Sequence, residues 1–236
     1  MTNVQPQSAA ALPPDTPPPE LAALNLADYD AVLFDMDGTL LDSSVAIREV
    51  YGVWCERHGL ELEAVLQAFL GSRVIDHLPR IAPHLDAEKE VAYLTAQESV
   101  IATGVVEIAG ASAFIRLLEA RAVPWAIATS SYRAMAELRL GAAGLPIPQH
   151  LITAELIKTG KPDPEHFIRA AQALGVEPAR CLAFEDSPNG ARSALAAGCD
   201  LVVVGEEIRD QHPRIRARLT DYRGLLVQLE GAGHGG

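Results

Sequence analysis

The sequence predicts an α/β protein, a Rossmann-like parallel sheet core with an inserted four-helix cap, and three observations carry that prediction. A short apolar strand, residues 32–34, runs into two carboxylates, Asp35 and Asp37, and then into a glycine turn at Gly38. Residues 43–107 hold four segments with helical apolar spacing and no strand between them, the pattern of a small bundle. From Gly110 onward apolar strands alternate with helices, which builds a parallel sheet covered on both faces.

Taken in order, residues 1–26 carry Pro13-Pro14 and Pro17-Pro18-Pro19 and read as a disordered, partly polyproline arm. They lack the basic start and apolar core of a secretory signal. The catalytic core is expected over 27–42 and 108–228. Ser43 and Ser44 can cap a first helix bearing Val45, Ile47, Val50, Val53 and Trp54, stopping near Gly59. A second helix over 61–70 spaces Leu62, Val65, Leu66 and Phe69, with Gly71 as its C-cap. Val74, Ile75, Leu78 and Ile81 mark a third, ended by Pro83. Asp86 opens a fourth, with Glu88 and Glu90 suited to its first turn, and it runs out near Gly104. In the second half, helices are expected over 113–121, up to about Ala142, over 165–174 and over 189–197. The strands between and after them are 123–128, 150–153, 181–184 and 201–204. Residues 229–236 are glycine-rich and read as a flexible tail.

Composition narrows the function classes. The 236 residues are 49% hydrophobic and 21% charged, ordinary for a soluble globular protein. The net charge of −12, with no basic run or basic-aromatic interleaving, argues against a nucleic-acid partner. No apolar run approaches a membrane span. Cys55, Cys181 and Cys199 are odd in number, widely spaced and mostly flanked by apolar residues, so buried free thiols in a reducing cytoplasm are expected. No paired cysteines suggest zinc.

Chemistry gathers at strand ends, where ligands of parallel sheets bind. Asp35 and Asp37 leave their strand on one face, and two carboxylates so close repel unless a cation sits between them. A cluster of hard oxygen ligands suits Mg²⁺. Thr129-Ser130-Ser131 offers hydroxyls and backbone N–H groups at a helix start, a natural seat for a phosphate. Lys161 is held extended by Pro162, and Asp163 and Pro164 begin the next helix. Glu185-Asp186 is a second acid pair, followed by a helix begun at Pro188. Each has an ordinary reading when taken alone, as a solvated strand end, a helix cap or a surface lysine. Their order and common position are far more specific.

With these residues in place, the chain resembles the haloacid dehalogenase superfamily of phosphohydrolases over about residues 29–205. Asp35-Met36-Asp37-Gly38-Thr39, Thr129, Lys161-Pro162 and Glu185-Asp186 match its four motifs in order, and the helical insertion matches its cap. Thr129-Ser130 with Arg133, Lys161-Pro162-Asp163-Pro164 and the stretch 184–190 are most similar to the sugar- and polyol-phosphate phosphatases. The resemblance implies a Mg²⁺-dependent phosphomonoesterase. Asp35 would be the nucleophile that forms an aspartyl-phosphate, and Asp37 the acid that protonates the leaving oxygen and later activates water. It implies Mg²⁺ held by Asp35, the carbonyl of Asp37 and Asp186, with Glu185 a further ligand or an outer acceptor. Thr129, Ser130 and Lys161 would hold the phosphoryl oxygens, with Gly38 beside them. Arg73 would reach the substrate body, or else stand as a solvated helix start. Glycerol-3-phosphatases carry a histidine before the cap glycine where this chain has Leu70, which leaves the substrate open. His58, His77, His84, His150 and His166 fall outside the motifs and are expected to be structural or at the surface. A β-phosphoglucomutase-like mutase shares all four motifs and is the alternative. Dehalogenases lack the second aspartate, and a non-catalytic binding protein would not keep every charged motif residue. The implied partner is a small phosphorylated metabolite, met by a cytoplasmic monomer or weak dimer.

Overall fold

The computed structural model describes residues 24–231. The Pro-rich stretches of the expected arm and the last five residues of the expected tail lie outside them. Where the described residues overlap those two segments they are ordered: Leu24, Leu26 and Leu229 are all buried in one core cluster.

Six parallel strands form the sheet: β1 (Ala31–Phe34), β4 (Trp125–Ala128), β5 (Leu151–Ile152), β6 (Cys181–Glu185), β7 (Asp200–Val204) and β8 (Ile215–Leu219), in the order β5-β4-β1-β6-β7-β8. Chain order reverses across β1, with β4 and β5 on one side and β6 to β8 on the other, so a crevice opens at the carboxyl end of β1. Strand β8 was not expected. Its Ile215-Arg216-Ala217-Arg218-Leu219 alternates buried and open positions, as an edge strand does, and its two arginines hide the apolar signal.

Successive residues of the central strands feed two separate cores. Val32, Phe34, Ile127, Leu182 and Phe184 belong to one, and Ala31, Leu33, Ala126, Ala128, Cys181 and Ala183 to the other. That is the period of two, with both faces covered. The first face is aromatic: Phe34 meets Phe184 at 5.1 Å and Phe114 at 5.9 Å between ring centroids. The second is built from small residues. Against it lie α7 (Glu165–Leu174) and α8 (Pro188–Ala197), which present Ala170, Ala171, Ala191 and Ala194. Small residues on both sides bring these two helices close to the sheet. Helices α5 (Ala111–Ala120), α6 (Arg133–Ala142) and α9 (Arg223–Gly231) complete this part of the chain.

Between β1 and β4 the chain leaves through β2 (Leu41–Asp42) and returns through β3 (Val106–Glu107), which pair antiparallel. This ribbon is too short to announce itself in sequence. Between its strands lie α1 (Ser44–His58), α2 (Leu62–Phe69), α3 (Val74–Ile81) and α4 (Ala87–Glu98), packed around Trp54, Val65, Phe69, Leu78 and Leu94. Three local expectations are corrected. Ser43 occupies the N-cap of α1 but its side chain makes no capping bond; its hydroxyl is turned to Asp37, to which it donates. Val45 and Val53 are exposed, and the buried face of α1 runs through Val50, Tyr51, Trp54 and Cys55. Helix α4 stops at Glu98, well before Gly104; the Ser99 hydroxyl donates to the Thr95 carbonyl there, and the chain then turns toward β3. Asp86 caps α4 as expected, accepting from the Lys89 N–H. All three cysteines are free and buried.

Candidate active site

The central strands β4, β1 and β6 end side by side and deliver Thr129, Asp35 and Glu185-Asp186 to one rim. Beyond Phe34 the chain wraps round the Met36 carbonyl, which accepts from the N–H groups of Thr39, Leu40 and Leu41. Gly38 makes that turn possible at φ 85°, and a Cβ there would sit 2.1 Å from Asp186 Oδ2. Only glycine fits both demands. The turn also aims the Thr39 hydroxyl at Asp186 Oδ1, 3.0 Å away.

Lys161 reaches this rim from the loop before α7 and is buried. Its Nζ donates to Asp35 Oδ1 at 2.5 Å and to Glu185 Oε1 at 2.7 Å. Burial works against its charge, yet the two carboxylates outweigh burial and hold the ammonium above its ordinary range. Glu185 turns its other oxygen back to its own helix start, accepting from the N–H and hydroxyl of Ser187. Ser187 in turn caps α8 through the Gly190 N–H, and a Cβ at Gly190 would lie 1.5 Å from Glu185 Oε1. The tight first turn of α8 therefore fixes Glu185.

Asp35, Glu185 and Asp186 bring carboxylate oxygens within 4.8 Å of one another. Three carboxylates face one ammonium, so the group is short of positive charge. Burial, opposed by Lys161 and reinforced by Glu185, pushes the Asp35 carboxyl up to about 7. Burial, then Glu185 and Asp35, raises Asp186 well above the usual carboxylate range. Hard oxygen donors with surplus negative charge are a fitting set for Mg²⁺.

Thr129 is buried and its Oγ1 accepts from the Ser131 N–H, while the Ser130 hydroxyl donates to the Gly71 carbonyl at 3.2 Å. Asp37 is turned away from Lys161. Its Oδ1 accepts from Ser43 Oγ at 2.6 Å and Arg139 Nη1 at 2.9 Å, and its Oδ2 from Ser131 Oγ at 2.8 Å. Ser43, Ser131 and Arg139 were given no such role from sequence. Arg139 did leave a signal: it lies in phase with Met135, Ala136 and Leu140 on the buried face of α6, and a charge on an apolar face needs a partner.

Arg73 lines the cavity above this rim, and its hydrogen bonds tie it to the cavity's edge. Its Nε and Nη2 grip Asp76, while Nη1 and Nη2 donate to the carbonyls of Ile157 and Lys158. These bonds clasp α3 to the loop before Lys161 while the side chain stays on the cavity wall. The same seam holds Ser72 Oγ on the Lys161 carbonyl and Asn189 Nδ2 on Ser72 Oγ. Of the histidines, His166 is buried on α7, where burial and then Lys161 push it down to about 3.

The cavity, of about 480 Å³, opens between this rim and the four helices. Asp35, Asp37, Thr129 and Asp186 line its floor; Ile47, Leu66, Phe69 and Ile75 line the helical side, with Arg48, Arg73 and Thr95 among its polar groups.

Comparison with known proteins points the same way. The family model described as haloacid dehalogenase-like hydrolase matches residues 29–198. Hexitol phosphatase A of Escherichia coli K12 is 39% identical over 201 residues, covering 84% of this chain and 90% of that protein. Validoxylamine A 7'-phosphate phosphatase of Streptomyces hygroscopicus subsp. limoneus is 37% identical, covering 72% of this chain and 83% of its own. Among solved structures, a HAD-family hydrolase of Deinococcus radiodurans R1 with bound phosphate and sodium is 32% identical. It aligns with a TM-score of 0.62 over 88% of this chain and 97% of its own.

Proposed function

The chain belongs to the haloacid dehalogenase-like hydrolases, and on that premise we propose that it is a Mg²⁺-dependent phosphomonoesterase acting on a small sugar or polyol phosphate through an aspartyl-phosphate. The observation that carries this reading is that Asp35, which lines a cavity large enough for such an ester, is paired from behind with buried Lys161. The phosphatase names of the relatives support the substrate class.

In this reading Asp35 attacks phosphorus, and its bond to phosphorus forms as the ester oxygen leaves. Lys161 orients the nucleophile and takes charge from the phosphoryl oxygens. Thr129 and Ser130 hold the remaining oxygens from the β4 side. Asp37 gives its proton to the departing alkoxide, then takes one from the water that hydrolyses the acyl phosphate and restores Asp35. Asp35, Asp186 and the Asp37 carbonyl would hold Mg²⁺, with Glu185 behind them because Lys161 and Ser187 already occupy its oxygens. Bound there, Mg²⁺ supplies the positive charge that lets a carboxylate meet a phosphate dianion. The segment 43–107 acts as the cap and supplies the wall facing the alcohol. The buried free thiols fit a reducing cytoplasm.

A panel of hexitol, hexose and glycerol phosphates tests the substrate class, scored by release of inorganic phosphate. An isomeric sugar phosphate as product would make the protein a mutase. Asp35→Asn keeps the volume of the side chain but removes the nucleophile, and it is expected to abolish turnover with the fold intact. Residual turnover above contamination would remove Asp35 from that role, and full activity in EDTA would remove the metal.

A further inference from the structure

We infer that Arg139 is the positioning residue for the proton-transfer carboxylate Asp37, and that Glu98 makes this positioning depend on the helical layer lying closed over the sheet. The inference rests on the phosphatase reading above and adds residues that the sequence motifs do not contain.

Arg139 is only 2% exposed and spans two partners far away in sequence. Nη1 lies 2.9 Å from Asp37 Oδ1, and Nη2 lies 2.8 Å from Glu98 Oε1. Asp37 belongs to the turn after β1, Arg139 to α6 and Glu98 to the last turn of α4, so one guanidinium ties the sheet rim to the helical layer. Glu98 is itself buried.

Stability alone is a poor reason for such a group. A buried ion pair seldom outperforms apolar side chains of equal volume, because each ion must be stripped of water. Here one cation faces two carboxylates, and its Nε has no hydrogen-bond partner. What the arrangement provides is orientation. Ser43 and Arg139 take both lone pairs of Asp37 Oδ1, and Ser131 takes one of Oδ2. One lone pair of Oδ2 is left to carry the proton exchanged with the leaving alcohol and then with water. Fixing a proton-transfer group to one geometry is what makes it effective. Glu98 holds the other edge of the guanidinium, so Nη1 faces Asp37 only while α4 lies against the rim. Asp37 is then set for proton transfer when the cavity is covered, and loses that support when it opens.

The test compares two esters in the full-length protein: a polyol phosphate, whose alkoxide must be protonated to leave, and p-nitrophenyl phosphate, whose phenolate leaves unaided. The value of kcat/KM reports steps up to loss of the alcohol, whereas kcat also includes hydrolysis of the phosphoenzyme. Arg139→Met is expected to lower kcat/KM for the polyol phosphate by about 100-fold, the lower range of general acid catalysis. For the nitrophenyl ester the loss should be far smaller, with phosphoenzyme accumulating because hydrolysis has lost its base. Arg139→Lys should recover part of the loss. Glu98→Gln, which leaves the Arg139–Asp37 contact in place, should show a smaller loss with the same dependence on the leaving group. Equal losses on both esters without trapped phosphoenzyme would make Arg139 a strut and overturn the inference. Should Arg139→Met fail to fold, Glu98→Gln decides by the same comparison, and a uniform loss or none overturns it. Wild-type protein that hydrolyses neither ester would overturn the phosphatase reading itself.

Discussion

Asp35 and Lys161 form a pair that neither partner could sustain alone. Both are buried, and the ammonium stays charged only because two carboxylates lie within 2.7 Å of it. Replacing Lys161 by Met therefore leaves Asp35, Glu185 and Asp186 to repel one another without a counter-charge. It is expected to lower kcat by roughly 10²–10³-fold, the cost of removing one preorganised donor. In chelator it should also lower the unfolding temperature; a variant as stable and active as wild type would show that the pair is idle. Lys161 was legible in sequence because prolines fix the chain on either side of Asp163 and because the lysine falls among other strand-end motifs. Arg139 was less so, since an arginine in a helix reads as surface until its phase with Met135 and Leu140 is counted. Ser43 was misread for a different reason. A serine before a helix is ordinarily its cap, and nothing local tells that a carboxylate six residues earlier takes the hydroxyl.

Elements decide where these residues point. The sheet has one aromatic and one small-residue face; on the small face Glu165 in the first turn of α7 accepts from the Lys158 and Thr159 N–H groups of the Lys161 loop, and Ser187 at the start of α8 holds Glu185. The alternation of strand and helix was legible because each central strand is a short apolar run bounded by turn residues. The β2–β3 ribbon and β8 were not: the first spans two residues on each side, and the second carries two arginines. Arg73 shows how an element can give a residue a second set of partners. Sequence places it after a glycine break facing the substrate; the structure keeps it on the cavity wall, where α3 also brings Asp76 one turn away and the Lys161 loop offers two carbonyls. Arg73→Ala should thus loosen the seam between α3 and that loop. The expected result is a loss of roughly tenfold in kcat/KM that is equal for polyol and nitrophenyl esters, about 1.4 kcal/mol. A loss confined to the polyol ester would instead make Arg73 a reader of the alcohol portion.

For the molecule as a whole, the surplus of negative charge on the sheet rim links stability to pH and to metal. The folded Asp35 carboxyl holds its proton up to about pH 7, while the same group in the unfolded chain releases it near pH 4. The folded state binds more protons across that window, so metal-free protein loses stability as pH rises from about 4 through 7. Asp186, raised for the same reason, adds to the trend. Scanning calorimetry in EDTA should show the unfolding temperature falling over this range, and Mg²⁺ should raise it more at pH 8 than at pH 5. A flat profile would mean that the carboxylates find another counter-charge. The β2–β3 ribbon has a consequence of a different kind. Both chain connections of the helical layer pass through this one ribbon, so in the proposed reading the cap has a single covalent pivot. In the proposed mechanism the phosphoryl group stays on Asp35 at the floor of the cavity after the alcohol is released. The alcohol must go first and inorganic phosphate last, so phosphate is expected to inhibit competitively against the ester and the alcohol product noncompetitively. The reverse pattern in product-inhibition kinetics would overturn the covalent order of steps.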